Sequence, residues 1–107
     1  MQTLDTINQT LQTNDAVMLY FSAPTCNVCH VLKPKLIEAL SEEFPIFVIE
    51  SIDISETPEI SSHFSVFTIP TVLIFFQGRE FLRKSRHMSV GEVVEDIRRP
   101  YTLMVGN

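Results

Sequence analysis

Three short apolar runs alternate along this chain with segments whose apolar residues recur at helical spacing. That alternation restricts the fold more than any other feature. Residues 16–21 are continuously apolar with β-favouring members, the mark of a strand buried on both faces. Residues 46–52 and 71–76 read as two further strands. Before the first run, Leu4, Ile7 and Leu11 define a short amphipathic helix, and Asn14-Asp15 is a turn signal. After it, Pro24 breaks the strand. Val28, Val31, Leu32, Leu36, Ala39 and Leu40 then mark one face of a helix that starts at Cys26, stops before Pro45 and should kink at Pro34. Thr57-Pro58-Glu59 looks like an N-cap followed by proline at the first helical position, opening a short helix that ends near Phe64. Gln77-Gly78 is a tight turn between residues 71–76 and a fourth strand, 81–86, so the two form a hairpin. Ser89 and Glu92 fit a capping box for a last helix running to about Arg99, before Pro100. Strands separated by helices imply parallel pairing through right-handed crossovers, whereas the hairpin is antiparallel. The expected fold class is therefore α/β, with a mixed sheet of about four strands and helices on both faces.

The 107 residues suit a single domain, taken as 1–107, and 45% of them are apolar, enough for a core without staples. A net charge of −5 argues against nucleic acid as a partner. No basic run suggests a membrane surface, and the longest apolar runs are far too short to span a bilayer. Residues 1–12 are polar and carry Asp5 where a secretory leader has a basic start and an apolar stretch. Cytoplasm is the expected compartment, and a monomer the expected state.

The chain has two cysteines, Cys26 and Cys29. A disulfide between them closes a tiny loop and constrains the unfolded chain little. In a reducing compartment such a pair is catalytic or metal-binding more often than structural. Cys26 lies where a strand gives way to a helix. The free N–H groups and partial positive charge of a helix N-terminus favour a thiolate there, lowering the pKa below that of a free cysteine. Cys29, one turn deeper, is close enough to attack a mixed disulfide formed at Cys26.

The stretch Tyr20-Phe21-Ser22-Ala23-Pro24-Thr25-Cys26-Asn27-Val28-Cys29-His30-Val31-Leu32-Lys33-Pro34 resembles the active-site segment of the thioredoxin family, including a proline five residues after the second cysteine. Thr68-Ile69-Pro70-Thr71-Val72-Leu73-Ile74-Phe75-Phe76-Gln77-Gly78 resembles that family's cis-proline loop, strand and turn. The resemblance runs from about Ala16 to Arg99. It implies a thioredoxin fold and a thiol–disulfide oxidoreductase that reduces protein disulfides in cell redox homeostasis. Cys26 is then the nucleophile and Cys29 the resolving thiol. The Ile69-Pro70 bond is implied to be cis, with Ile69, Pro70, Thr25 and Val28 meeting the substrate chain. Beyond the redox-active Cys26–Cys29 disulfide no cofactor or metal is implied. The implied partners are protein disulfides and an upstream thiol reductant such as a thioredoxin reductase.

The pattern is also broken. Where the family often has a buried acid, six residues before the first cysteine, stands Tyr20, a poor base at neutral pH. The family's tryptophans near the motif are Ser22 and Thr25 here, and the dipeptide between the cysteines is Asn27-Val28 rather than Gly-Pro. Where a glycine often flanks the substrate groove stands Arg86, followed by His87; a cation there narrows the groove and favours acidic partners, against the equally weighted reading of a solvated edge-strand charge. The first family strand is missing or vestigial. His30 is a candidate modulator of the thiolate, against the plainer reading of a half-exposed helix residue, and His63 has no assigned role. Phe64, Val66, Phe67, Val28 and Ile69 are candidates for an apolar rim, with core packing the plainer reading for Phe64.

Three rival readings compete. Cys26-Asn27-Val28-Cys29-His30 satisfies the CxxCH pattern of haem attachment, but Ile69-Pro70-Thr71 and the strand-rich layout fit no small helical haem protein. A structural zinc site needs four ligands, and His30, His63 and His87 are too scattered to complete the pair. A non-catalytic binding or adaptor module on the same fold is the third, kept open by Tyr20 and Asn27-Val28.

Overall fold

The computed structural model describes residues 2–106. In chain order the elements are α1 (Leu4–Thr13), β1 (Ala16–Ser22), α2 (Asn27–Glu43), β2 (Val48–Asp53), α3 (Pro58–His63), β3 (Thr71–Phe76), β4 (Arg79–Ser85) and α4 (Val90–Val105). The four strands form one mixed sheet in the order β2-β1-β3-β4. β1 pairs parallel with β2, placing Val17 beside Val48 and Phe21 beside Ile52. On its other side β1 pairs antiparallel with β3, with Tyr20 opposite Val72. The hairpin β3–β4 closes the edge, with an irregularity between Ile74 and Phe75.

The antiparallel β1–β3 pairing corrects the expectation that strands separated by helices run parallel. Helix α3 has six residues and is about 9 Å long, against about 20 Å for a strand of six or seven residues. It is too short to carry the chain back along the sheet. β3 therefore enters at the end where β2 leaves, and runs the other way. Four strand ends consequently meet at one end of the sheet: the C-termini of β1, β2 and β4 and the N-terminus of β3.

Alternation along β1 and β3 divides the interior in two. Met18 and Tyr20 of β1 and Val72 and Ile74 of β3 pack with Leu36 and Leu40 of α2 and Val93 and Ile97 of α4. Val17, Leu19 and Phe21, with Leu73 and Phe75, face Ile7 and Leu11 of α1 and Ile60 of α3. Every residue of β1 except Ser22 is buried, as the continuous apolar run requires. β4 is mostly exposed, and Arg79, Glu80, Arg83 and Lys84 charge it, which keeps an edge strand from pairing with another chain.

Helix ends differ from expectation in three places. The capping box occurs at α1, where Thr6 N–H donates to Thr3 Oγ1 (3.1 Å) and Thr3 N–H to Thr6 Oγ1 (2.9 Å). At α4, Ser89 Oγ accepts from Glu92 N–H (3.1 Å), but the Glu92 carboxylate turns to Lys84 of β4 (3.5 Å) instead of closing the box. Thr57 precedes Pro58 at the start of α3, yet its hydroxyl donates to the Asp53 carbonyl and caps nothing. Strand boundaries move as well. β2 starts at Val48, because Phe47 N–H bonds back to the Phe44 carbonyl and Ile46 N–H to the Tyr101 hydroxyl. β4 spans Arg79–Ser85 and leaves Arg86 outside the strand.

The largest correction is α4, which continues through Pro100 to Val105 and stops at Gly106 in a left-handed conformation (φ 84°). Proline inside a helix removes one hydrogen bond and costs about 3 kcal/mol. Tertiary packing offsets that cost. Tyr101 is buried, lies 4.7 Å from the Phe44 ring and stacks on Phe47 at 6.0 Å; such pairs contribute about 0.5–1.5 kcal/mol each beyond their area. Truncation by Tyr101→Ala is expected to lower the unfolding free energy by about 2–4 kcal/mol in urea denaturation. The exposed neighbour change Thr102→Ala should stay within about 0.5 kcal/mol. Equal, small effects at both positions would mean that the helix ends before Pro100.

Candidate functional site

The end of the sheet where these four strand ends meet holds both cysteines. After β1 the chain turns, with Cys26 N–H donating to the Ala23 carbonyl at 3.0 Å, and Cys26 becomes the N-cap of α2. Its Sγ accepts a hydrogen bond from Cys29 N–H at 3.2 Å, so sulfur fills the place that a Ser or Asp oxygen takes at most helix starts. No acidic residue occupies the first turn of α2, and the partial positive charge of the helix end acts on this sulfur unopposed. The two cysteines are joined in a disulfide, their Cα atoms 5.3 Å apart. Cys26 is partly exposed, whereas Cys29 is 1% exposed.

Tyr20 lies under the pair on β1. It is fully buried, and its hydroxyl donates to the Cys29 carbonyl at 2.8 Å. Burial pushes its pKa up to about 12, because a phenolate there would lose its hydration. The residue in the place of the family's buried acid is thus a neutral donor tied to the backbone of the second cysteine.

Facing Cys26, the Ile69-Pro70 peptide bond is cis. Thr71 Oγ1 donates to the Thr68 carbonyl (2.7 Å), and Arg86 N–H to the Pro70 carbonyl (2.8 Å), so the loop is held from both sides. Arg86 has φ 59°, a left-handed conformation that glycine adopts freely and other residues adopt at a cost. That explains physically why a glycine suits this position. Cys26, Val28, Ile69, Pro70, Arg86 and His87 line a cleft of about 440 Å³. A second, more apolar cleft of about 380 Å³ lies on the far side of Arg86, over Val28, Val31, Leu32 and Met88, with Lys35 at its rim.

The structure therefore brings Cys26, Val28, Ile69, Pro70 and Arg86 together around one opening, with Cys29 and Tyr20 beneath it. Thr25 is exposed but lines neither cleft. His30 is exposed and its Nε2 lies 2.9 Å from the Pro24 carbonyl. A carbonyl only accepts, so this nitrogen carries the proton, and the ring braces the loop before the dithiol. The expected apolar rim shrinks. Val66 is buried, and Phe64 packs edge-on against Phe21 (6.3 Å) and Phe75 (5.8 Å). Val28 and Phe67 stay exposed. His63 sits edge-on to Phe64. Lys35 and Met88 are participants that sequence reasoning missed. Lys35 lies one turn beyond Val31 on the exposed face of α2, a signal helical spacing contains, whereas nothing local marks Met88. Arg83 was missed too: its guanidinium donates to the carbonyls of Phe64 (2.7 Å) and Ser65 (3.0 Å), closing the end of α3.

Among the described residues no three His, Cys, Asp or Glu side chains gather where they could hold a metal ion. Among the same residues no helix is long and apolar enough to cross a membrane.

The Tyr20 bond leaves a pH signature. Below pH 10, the ordinary tyrosine value, the phenol is neutral in both folded and unfolded chains, and its contribution is fully present. Between 10 and about 12 only the unfolded chain ionises, so that contribution is lost as pH rises. Replacement by Tyr20→Phe is expected to cost about 1 kcal/mol at pH 7, with the gap between variant and parent narrowing above pH 10. Denaturant titrations at pH 7, 9 and 11 measure it; a gap independent of pH would show that the phenol is not held neutral by the fold.

Comparison with known proteins agrees with this geometry. The thioredoxin family model matches residues 2–99. The thioredoxin-like protein YdfQ of Bacillus subtilis is 32% identical over 106 residues, 99% of this chain and 94% of that protein. The bifunctional thioredoxin reductase/thioredoxin of Mycobacterium leprae is 32% identical over 73 residues, 68% of this chain but only 16% of that longer protein. Among solved structures, thioredoxin 1 of Thermosipho africanus superposes with a TM-score of 0.74 at 34% identity, covering 83% of this chain and 98% of that one. With a CxxC disulfide at a helix N-terminus, a cis-proline loop facing it and a four-stranded mixed sheet behind, the chain belongs to the thioredoxin family.

Proposed function

We propose that the chain is a thiol–disulfide oxidoreductase that reduces protein disulfides, with Cys26 as nucleophile and Cys29 as resolving thiol. The observation that carries this reading is the unequal exposure of the two sulfur-bearing residues: Cys26 is open to the cleft and Cys29 is sealed beneath it. In the reduced protein the Cys29 N–H and the helix end favour a Cys26 thiolate. That thiolate attacks one sulfur of the substrate disulfide. A Cys26–substrate bond forms, the substrate S–S bond breaks, and the departing thiolate takes a proton from water. Cys29 then loses its proton and attacks Cys26 Sγ. The intramolecular disulfide forms, and the second substrate sulfur leaves as a thiol. The substrate gains two electrons and the Cys26–Cys29 pair loses them, so the pair itself is the electron carrier and no bound cofactor is required.

An upstream thiol reductant such as a thioredoxin reductase restores the dithiol. The name of the Mycobacterium leprae relative, which joins a reductase to a thioredoxin in one chain, supports that class of donor. Ile69 and Pro70 form the wall along which an extended substrate segment lies, and Val28 gives it an apolar contact. Reduction is the direction of exchange in a cytoplasmic setting, where the thiol pool is reducing.

Insulin reduction driven by dithiothreitol tests the reading. Wild-type protein is expected to accelerate precipitation of the reduced insulin chains, and Cys26→Ser to abolish the acceleration. Cys29→Ser is expected to lose turnover and accumulate a mixed disulfide at Cys26, visible by non-reducing mass spectrometry. Equal inactivity of wild type and Cys26→Ser would favour the non-catalytic binding module instead.

A further inference from the structure

We propose that the two clefts flanking Arg86 select disulfides in segments that carry a carboxylate two positions from an apolar side chain. The proposal rests on the oxidoreductase reading and names the substrate class of that same site.

Charge is the first argument. The protein carries a net charge of −5, with 13 acidic and 8 basic residues. Yet the residues lining the two clefts include Lys35, Arg86 and His87 and no Asp or Glu. Arg83, Lys84 and Arg98 are all engaged by carboxylates, at 2.9–3.5 Å. Among the described residues, Lys35 and Arg86 have no carboxylate within 4 Å. An acidic protein thus presents one uncommitted cation, Arg86, in the cleft that holds Cys26 and another, Lys35, in the cleft beyond it. The local sign is opposite to the net sign, which steers carboxylate-bearing partners in and repels basic ones.

Arg86 supplies the second argument. Among the described residues it is the only one with a full positive charge that lines both clefts, and it sits at φ 59°. A glycine would give the same turn, and the same N–H bond to Pro70, without the steric cost. The backbone contact needs no side chain; the guanidinium is an addition to it, exposed at the junction of the clefts. Its planar fork suits a carboxylate.

Third, the cleft beyond Arg86 is apolar in its floor. Val28 is 61% and Val31 59% exposed, and Leu32 and Met88 form the rest of the lining. An aliphatic or aromatic side chain two positions from a substrate carboxylate fits that arrangement, because alternate residues of an extended chain share a face. The acidic preference is bounded along α2. Glu38 and Glu42 lie on the next stretch of the helix and share with Lys35 the lining of an adjoining depression, so carboxylates farther from the disulfide meet repulsion rather than attraction.

Two disulfide-linked peptides test the proposal; they are identical except for Asp or Lys at the two positions that lie two residues before and two residues after an apolar residue next to the cysteine. Hydroxyethyl disulfide serves as a small neutral substrate. At 50 mM salt the wild type is expected to reduce the Asp peptide with a kcat/KM about five- to tenfold above that for the Lys peptide, the scale of two partly screened ion pairs. At 1 M salt the ratio should fall toward one. Lys35→Glu is expected to lower the low-salt ratio and Arg86→Glu to invert it. Because each ratio is taken within one variant, loss of overall activity does not disturb it. A wild-type ratio within twofold of one, or a ratio that neither variant moves, overturns the charge selection while reduction of the neutral disulfide upholds the oxidoreductase. Failure to reduce any of the three substrates overturns the oxidoreductase reading, and the selectivity with it.

Discussion

Strand β1 is the constraint on which the rest of the structure depends. It is hydrogen-bonded on both edges, to β2 and β3, and covered on both faces by the two halves of the core. Each fully buried Leu, Val or Phe in it contributes about 1.5–3 kcal/mol, and its backbone has no freedom left once both ladders form. The last residues of this strand aim the chain at the start of α2. Tyr20 adds a direct tie, because its hydroxyl reaches from the strand to the Cys29 carbonyl. The dithiol is therefore not a feature of a mobile loop. It is held between a strand end that cannot shift and a helix whose first turn is bonded to that strand.

The opposite wall of the site is built with different tools. The Ile69-Pro70 loop packs Ile69 against both halves of the core and is pinned by point contacts: Thr71 on the Thr68 carbonyl, Arg86 N–H on the Pro70 carbonyl, and Arg83 on the two carbonyls that end α3. These contacts come from β3 and from residues within and just beyond β4, so the edge hairpin positions half of the site. Lys84 in turn joins β4 to α4 through Glu92 and Asp96. Exposed ion pairs of this kind are individually weak, but here they fix the orientation of an edge strand that hydrogen bonds hold on one side only.

Much of this was legible in the sequence, for reasons that differ by element. The unbroken apolar run of β1 and the change of period at Cys26 are local signals of strong physical constraints, and the structure matches them within a residue. Pro34 and Ile69-Pro70-Thr71 carried the family resemblance, and with it the site. The direction of β3 was not legible, because it depends on the length of α3 against the length of a strand rather than on any residue of β3. The passage of α4 through Pro100 was hidden for the same kind of reason. The local rule says stop, and the stack of Tyr101 on Phe44 and Phe47 joins residues more than fifty positions apart. Arg86 was legible as a departure, but the left-handed backbone that makes it one is a property of the turn after β4, not of the arginine.

The two most unusual residues at the site, Tyr20 and Arg86, act on opposite sides of the disulfide, and their chemistry keeps those sides separate. A carboxylate at position 20 would place an ionisable group beside Cys29 and couple the resolving step to its titration. Tyr20, with a pKa near 12, stays neutral and only donates a hydrogen bond, so the interior face of the dithiol carries no charge at any physiological pH. The charged groups of the two clefts, Arg86 beside Cys26 and Lys35 in the second cleft, are on the solvent side. There they meet the substrate before the sulfurs do and are screened by salt in a way that a buried charge is not. Under the proposed reading, changes in ionic strength should thus act on recognition through the outer face, while Cys29, 1% exposed, is shielded from them.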